Sequence, residues 1–312
     1  MIVAILGAGP AGMSCANACL SFGLQPVVIE RGDHLGGAQR SNFHPNLWML
    51  GYPEETGEQM TQRLAAHYRE LPVTTHYRAE VTRVLRAAGG FLLTLSGAEG
   101  VRTLAAAAIV LATGTRPRAT AALQQFAASC PRAIIGPLSN TIRDGIRDAD
   151  VLILGGGDNA LDHALFLADR GNRAVVCTRA AFSARRPFIA ACQARGEIEL
   201  RAHCPPPRLA CGDARVLASW PEGERAFDWL LVMYGYLPNT DVLESFDPAI
   251  RPALTGSGYL QVDAWQRSSV PGIYAAGDLT DSPQPSVATA MAQGLTAARA
   301  AERDLCSQAT RS

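Results

Sequence analysis

Residues Ile2-Val3-Ala4-Ile5-Leu6-Gly7-Ala8-Gly9-Pro10-Ala11-Gly12 decide the fold. Five apolar residues in a row are too few for a helix and suit a strand buried on both faces. G-x-G-x-x-G follows at once, and Pro10 falls where the first turn of a helix accepts proline. The pattern predicts a strand over 2–6, a glycine turn, a helix over 10–22 closed by Gly23, and a second strand over 26–30. In such a unit Gly7 permits the tight turn, Gly9 admits a pyrophosphate against the backbone, and Gly12 lets the helix pack closely. Pro10 and Ala11 open the helix, whose N-terminus offers N–H donors and a positive dipole end to phosphates. Glu30 ends the second strand about 20 residues on, where a carboxylate binds both ribose hydroxyls and repels a 2′-phosphate; Arg31 follows it. The site suits FAD or NAD and not NADP.

The same order recurs from residue 151: a strand over 151–154, the turn Gly155-Gly156-Gly157-Asp158-Asn159-Ala160, a helix over 159–170 closed by Gly171, and a strand over 174–178. This fingerprint is G-x-G-x-x-A, with Ala160 in the third position. No acid ends its second strand. Arg179 stands there, with Arg185 and Arg186 close behind, and a guanidinium at that place can pair with a 2′-phosphate; solvated surface arginines are the alternative. The expectation is NADPH, with NADH also possible.

Between and after these units, segments 80–85 and 91–95 are expected as β-ribbon strands, 107–112, 229–234 and 272–276 as apolar strands, and 287–303 as an Ala-rich helix. Pro117 and the turn-rich segment 235–240 are plausible crossings. The expected fold is α/β: two Rossmann-like, three-layer ββα domains. Residues 1–117 and 241–312 form one discontinuous domain whose fingerprint takes FAD or NAD, and 118–240 form an inserted NAD(P)-binding domain.

Composition narrows the chemistry. The 312 residues are 48% hydrophobic and 18% charged, with 28 basic and 28 acidic residues. A neutral chain without a basic block provides no electrostatic footprint for nucleic acid or an anionic membrane. All the basic residues are arginine, which excludes a P-loop or Schiff-base lysine. None of the eight cysteines forms C-x-x-C, so zinc and vicinal-dithiol spacings are absent and no metal site is expected. The opening apolar stretch is too short for a secretory signal, and no run of about 18 apolar residues follows. The expectation is a cytoplasmic protein with reduced thiols.

Taken together, these motifs resemble the low-molecular-weight thioredoxin reductase group and the related ferredoxin-NADP reductases, end to end. The resemblance rests on Gly7 to Gly12 with Glu30, Gly36-Gly37-Ala38-Gln39, Ala112-Thr113-Gly114, Gly155 to Asp162, Gly235 with Pro238-Asn239-Thr240, and Gly272 to Asp278. It implies that Gly277 and Asp278 close on FAD, with Asp278 hydrogen-bonded to the ribityl chain. Gly36 to Gln39 would line the flavin, Val81 would meet the adenine through its backbone, and Ser286-Val287 would begin a helix aimed at the flavin N1–C2=O edge. It also implies hydride transfer from NAD(P)H to FAD N5, then delivery of electrons to an acceptor, in a homodimer.

The departure from that pattern is at Leu138-Ser139-Asn140-Thr141, where thioredoxin reductases carry C-x-x-C. Without a dithiol, thioredoxin reduction and dithiol oxidation are disfavoured. Ferredoxin-NADP reductases lack the pair naturally, but little chain follows the last helix for their usual C-terminal extension, so the acceptor stays open: ferredoxin, flavodoxin or another redox protein. A flavin oxidase or small-molecule oxidoreductase, using 36–52 as its pocket, is a second hypothesis, and a redox-sensing flavoprotein with a silent second domain is a third. Cys15 and Cys19 are expected as buried inert thiols, and a one-cysteine mechanism through Cys130 is weighed and set below the others. His34, His44 and Trp48 either shape a pocket or pack. His163 is expected in a surface or satisfied role, and no general acid or base is assigned.

Overall fold

A computed structural model describes residues 1–46, 49–52, 54–98 and 100–309. Among them the helices are α1 (Pro10–Ser21), α2 (Gly57–Arg69), α3 (Ala121–Ser129), α4 (Asp158–Ala168), α5 (Arg186–Gln193) and α6 (Val287–Ala309). The chain divides into two compact units, Met1–Thr115 with Pro238–Ser312, and Arg116–Leu237.

The first unit is built on a parallel sheet in the order Ile273–Ala275, Ala108–Leu111, Ile2–Leu6, Gln25–Ile29, Thr74–His76. Side chains alternate across a strand, and here both faces are covered. Val3 and Ile5 join the core under α1, α2 and α6, whereas Ala4 and Leu6 join the core under the antiparallel sheet of Ala79–Ala87, Gly90–Gly97 and Gly100–Ala106. That explains the unbroken apolar runs. The expected ribbon therefore has a third strand, Gly100–Ala106, and the last helix runs to Ala309, beyond the expected 303. Small residues let α6 lie close on α1: Ala297, Ala298, Ala300 and Ala301 are fully buried, and a Cβ on Gly294 would strike the Ala11 carbonyl.

The second unit repeats the plan. Its parallel sheet runs Ile198–Arg201, Arg173–Cys177, Asp150–Leu154, Trp229–Val232, Ala133–Ile135, with the fingerprint strand again central. One face packs on an antiparallel sheet of Arg208–Cys211, Val216–Trp220 and Gly223–Phe227, through Leu152, Leu154, Val216, Ala218 and Phe227. On α4, Leu161, Ala164 and Leu167 are fully buried. Among the described residues no helix is long and apolar enough to cross a membrane.

Candidate functional site

In the first unit the turn after Ile2–Leu6 is held from both sides. The Gly7 N–H donates to the Ile29 carbonyl at 2.8 Å, and the Ala112 N–H donates to the Leu6 carbonyl at 2.8 Å. Gly7 takes φ +108°, and a Cβ there would collide with the Ala112 carbonyl, so only glycine serves. A Cβ on Gly12 would strike the Gly7 carbonyl, so α1 starts in contact with the turn. Gly9 is the N-cap of α1, Pro10 and Ala11 begin it, and no side chain caps it, which leaves its first N–H groups open. Across the turn, a Cβ on Gly37 would stand 3.2 Å from the Gly9 Cα.

Glu30 is half-buried beside this turn. The Ala8 N–H donates to its Oε2 at 2.8 Å and the Gly32 N–H donates to its Oε1 at 2.7 Å. These bonds fix the carboxylate while each oxygen keeps capacity for an outside donor. Arg31 is exposed, 4.0 Å from the Glu80 carboxylate.

Gly37, Ala38 and Gln39 lie in a short 3-10 turn, where Gln39 Oε1 accepts from Asn42 Nδ2 at 2.9 Å. Val81 sits in strand Ala79–Ala87 at a register shift. Thr113 and Gly114 are latched to Asn239: Thr113 Oγ1 donates to the Asn239 carbonyl at 2.8 Å, Asn239 Nδ2 returns a bond to the Thr113 carbonyl at 2.8 Å, and the Asn239 N–H donates to the Gly114 carbonyl at 2.9 Å. Asp278 lies in the turn Gly277–Leu279, which α6 steadies through the Gly277 N–H donating to Gln293 Oε1 at 2.8 Å. Burial pushes the Asp278 carboxyl up, and among the described residues no donor reaches it. Ser286 Oγ caps α6 by accepting the Thr289 N–H at 3.1 Å, and Val287 is buried at its first turn. Close backbones at Gly9 and Gly37, a fixed carboxylate at Glu30 and a half-buried carboxylate at Asp278 fit the pyrophosphate, ribose and polyol chain of FAD.

The second turn repeats these bonds. The Gly155 N–H donates to the Cys177 carbonyl at 2.9 Å, and the Met233 N–H donates to the Leu154 carbonyl at 2.7 Å. The Thr178 N–H donates to the Arg201 carbonyl at 3.0 Å, just as the Glu30 N–H donates to the His76 carbonyl at 2.8 Å. Thr178 thus occupies the place of Glu30, and Arg179 the place of Arg31. A hydroxyl followed by a guanidinium replaces the carboxylate.

Arg179 is exposed, lies over the Tyr234 ring at 5.8 Å, and meets no carboxylate among the described residues. Arg185 is paired with Asp158. Its N–H and its Nε donate to the Asp158 carboxylate at 2.7 and 2.6 Å, and the Ser183 and Ala184 N–H groups donate to the Gly156 carbonyl at 2.9 and 3.0 Å. Asp158 therefore pins the following loop at the turn and engages the Arg185 guanidinium. Arg186 is exposed at the start of α5. Gly157 is the N-cap of α4, the Asn159 carbonyl lies 2.8 Å from His163 Nδ1, and Ala160 is fully buried.

A cavity of about 890 Å³ opens at this turn, lined by Gly155, Gly157, Arg118 and Arg179 together with the apolar Phe126 and Leu209. Gly235 also lines it, and its carbonyl accepts the Arg118 N–H at 2.8 Å. Sequence reasoning passes over Arg118, Phe126 and Leu209, which no short motif connects. The cavity's size and mixed lining fit a nicotinamide dinucleotide.

The thiols differ from expectation at one place. Cys130 and Cys211 form a disulfide, so not all cysteines are reduced and the Cys130 sulfur is bonded, which closes the one-cysteine mechanism through it. The pairing is possible because α3 ends at Cys130 beside strand Arg208–Cys211, with Cα atoms 5.8 Å apart. Cys15 and Cys19 are fully buried, and their mutual hydrogen bond together with burial raises the Cys15 thiol, as inert core thiols should behave. His163 is buried, with ring nitrogens at the Asn159 and Pro137 carbonyls. His34 pairs at the surface with Asp33, whose carboxyl that contact and Arg78 lower to about 2. His44 packs against Phe43, and Trp48 lies outside the described residues. Leu138 to Thr141 carry no sulfur and lead into a π-turn, Thr141–Gly145.

Residues 1–294 match the pyridine nucleotide-disulphide oxidoreductase family. A ferredoxin–NADP reductase of Limosilactobacillus fermentum is 29% identical over 297 residues, spanning 88% of this chain and 84% of that protein. A ferredoxin–NADP reductase of Streptococcus sanguinis is 26% identical over 286 residues, 88% of this chain and 85% of its own length. In fold, the chain is similar to the thioredoxin reductase of Lactococcus lactis, with a TM-score of 0.81 at 23% identity over 98% of this chain and 99% of that one. A thioredoxin reductase of T. acidophilum gives 0.80 at 21% identity over 97% of each chain.

Proposed function

The chain belongs to the pyridine nucleotide-disulphide oxidoreductase family and is an FAD-dependent NAD(P)H oxidoreductase; from that premise we propose that it carries electrons from NADPH to a ferredoxin-like protein without a cysteine relay. The observation that carries this reading is the pair of equivalent turns with unlike ends, Glu30 in one unit and Thr178 with Arg179 in the other. The first selects a ribose with free hydroxyls, the second a ribose bearing a 2′-phosphate. The ferredoxin–NADP reductase relatives and the absence of cysteine from Leu138 to Thr141 support an acceptor that takes electrons directly.

In this reading Gly7, Gly9 and Gly12 with the α1 N-terminus hold the FAD pyrophosphate, Glu30 the adenosine ribose, and Asp278 a ribityl hydroxyl. The positive end of α6 at Ser286-Val287 stabilises negative charge placed before it. Gly155 to Ala160 hold the NADPH pyrophosphate, and Arg179 its 2′-phosphate. Bound FAD supplies two-electron acceptance and one-electron release. In the same reading the protein is a cytoplasmic homodimer. Six cysteines remaining free support that compartment, and sedimentation of the FAD-loaded protein tests the dimer.

The functional test is NADPH-driven cytochrome c reduction with and without added ferredoxin, under argon and in air. Strong dependence on ferredoxin is expected. Rapid oxygen consumption with no ferredoxin effect would replace this reading with an oxidase.

A further inference from the structure

One wall of the cavity at the second turn is positioned by a covalent bond. Helix α3 contributes Leu123 and Phe126 to that wall, and strand Arg208–Cys211 contributes Leu209. Cys130 is the C-cap of α3, Cys211 is the last residue of the strand, and the disulfide joins the two elements. Little else does so. No residue of α3 is fully buried, Leu209 is only half-buried, and the strand sits at the edge of its sheet, paired on one side with Val216–Trp220. The two ends of the bond also differ: Cys130 is completely buried, and Cys211 is exposed.

We propose that the Cys130–Cys211 disulfide is a reducible clasp on the nucleotide cavity, opened by a dithiol, and that opening it lowers the protein's affinity for NADP(H). This rests on the cavity being the coenzyme site. Cys211 is the exposed residue of the pair, so its sulfur is the one an outside thiolate attacks. The donor thiolate attacks Cys211 Sγ, a mixed disulfide forms, and the S–S bond breaks with its electron pair passing to Cys130 Sγ, which takes up a proton. The donor's second thiolate then attacks its own sulfur in the mixed disulfide and releases Cys211, which is protonated in turn. Two electrons leave the dithiol, which becomes a disulfide, and the protein gains two thiols.

With the bond open, the strand keeps its ladder to Val216–Trp220, but α3 meets it through half-buried apolar side chains alone among the described contacts. The wall formed by Leu123, Phe126 and Leu209 loosens, and the coenzyme must order it again on binding. The glycine turn, Thr178 and Arg179 are untouched, so affinity falls without being abolished. Cys177, which also lines the cavity, does not substitute for the clasp. Cys177 is buried and its thiol is pushed up to about 12, chiefly by burial, which keeps it protonated and a poor exchange partner.

The test titrates NADP+ into the FAD-loaded protein by calorimetry, before and after dithiothreitol treatment and after reoxidation, with alkylation in denaturant and mass spectrometry counting thiols. The oxidised protein should show six free thiols and the reduced protein eight. Reduction should raise the Kd about fivefold or more, a coupling of ordinary size, and reoxidation should restore it. Cys211→Ser should bind as the reduced protein does and ignore the reductant. Eight thiols before treatment, six after it, or eight with an unchanged Kd would each overturn the clasp. Failure of the oxidised protein to bind NADP+ at all would instead overturn the coenzyme reading of the cavity, and the clasp with it.

Discussion

Replacing Arg179 with Ala removes the guanidinium that stands, in the second unit, where Arg31 stands in the first. Arg179 lies over the Tyr234 ring at 5.8 Å and meets no carboxylate among the described residues, so its loss breaks no ion pair within the fold. A hydrogen bond to a charged group is worth roughly 1.5–3 kcal/mol. Arg179 is exposed, so the lower end applies and NADPH should bind about tenfold more weakly. NADH has no 2′-phosphate and should be held as before. Asp158→Ala is the contrast: it removes the acceptor of both the Arg185 N–H and the Arg185 Nε and loosens the loop pinned over the turn, so it should weaken both coenzymes together. Dissociation constants for both coenzymes, measured by rapid mixing against each variant, separate the two behaviours. An unchanged NADPH-to-NADH affinity ratio in Arg179→Ala would refute the 2′-phosphate role.

Asp278→Ala removes a carboxylate raised by burial. Burial penalises the charged form of the native carboxyl, so that group's contribution to the apoprotein is present at low pH and lost as pH rises through the raised value. The variant apoprotein should therefore gain stability at neutral pH while FAD dissociates about tenfold or more faster, read by calorimetry and by flavin release on dilution. Gly294→Ala sets a methyl against the Ala11 carbonyl and should cost about 1–3 kcal/mol in denaturant unfolding, with no change in coenzyme preference. Asp304 accepts from Arg267 at 2.7 and 2.8 Å and from the Tyr274 hydroxyl at 2.8 Å, and Arg267 first and Tyr274 second hold its carboxyl low. Its contribution is present above the ordinary carboxylate range and lost as pH falls through the lowered value. Asp304→Asn should therefore flatten the acid side of a plot of unfolding midpoint against pH.

Legibility in the sequence followed locality. Gly7 to Gly12 and Gly155 to Ala160 announce themselves because strand, turn and helix are contiguous, although only Gly12 answers to its own segment, at the Gly7 carbonyl, whereas Gly7 and Gly155 answer to the distant Ala112 and Met233 carbonyls. Helix α2 escapes the reading of apolar runs although its start carries a usable signal: Thr56 Oγ1 accepts the Gln59 N–H while Gln59 Oε1 accepts the Thr56 N–H, a capping box in T-x-x-Q form. The sheet over Arg208–Phe227 escapes it because its strands are short and only one face is apolar, with Val216, Ala218 and Trp220 turned inward. Other features depend on distant chain. Cys130 and Cys211 are 81 residues apart, and no spacing rule joins them. Arg185 reads as available for a phosphate, but the fold returns it to Asp158, 27 residues earlier. Glu30 and Asp278 are legible as acids, but that one is held by two backbone donors and the other by none is fixed only once all of the first unit has folded.

The most direct measurement is an anaerobic titration of the FAD-loaded protein with NADPH and, separately, with NADH, following the visible absorbance of the flavin. Fast, stoichiometric bleaching by NADPH is predicted, with a weaker response to NADH at equal concentration. No bleaching by either coenzyme would contradict this, because the second unit would then not serve the first.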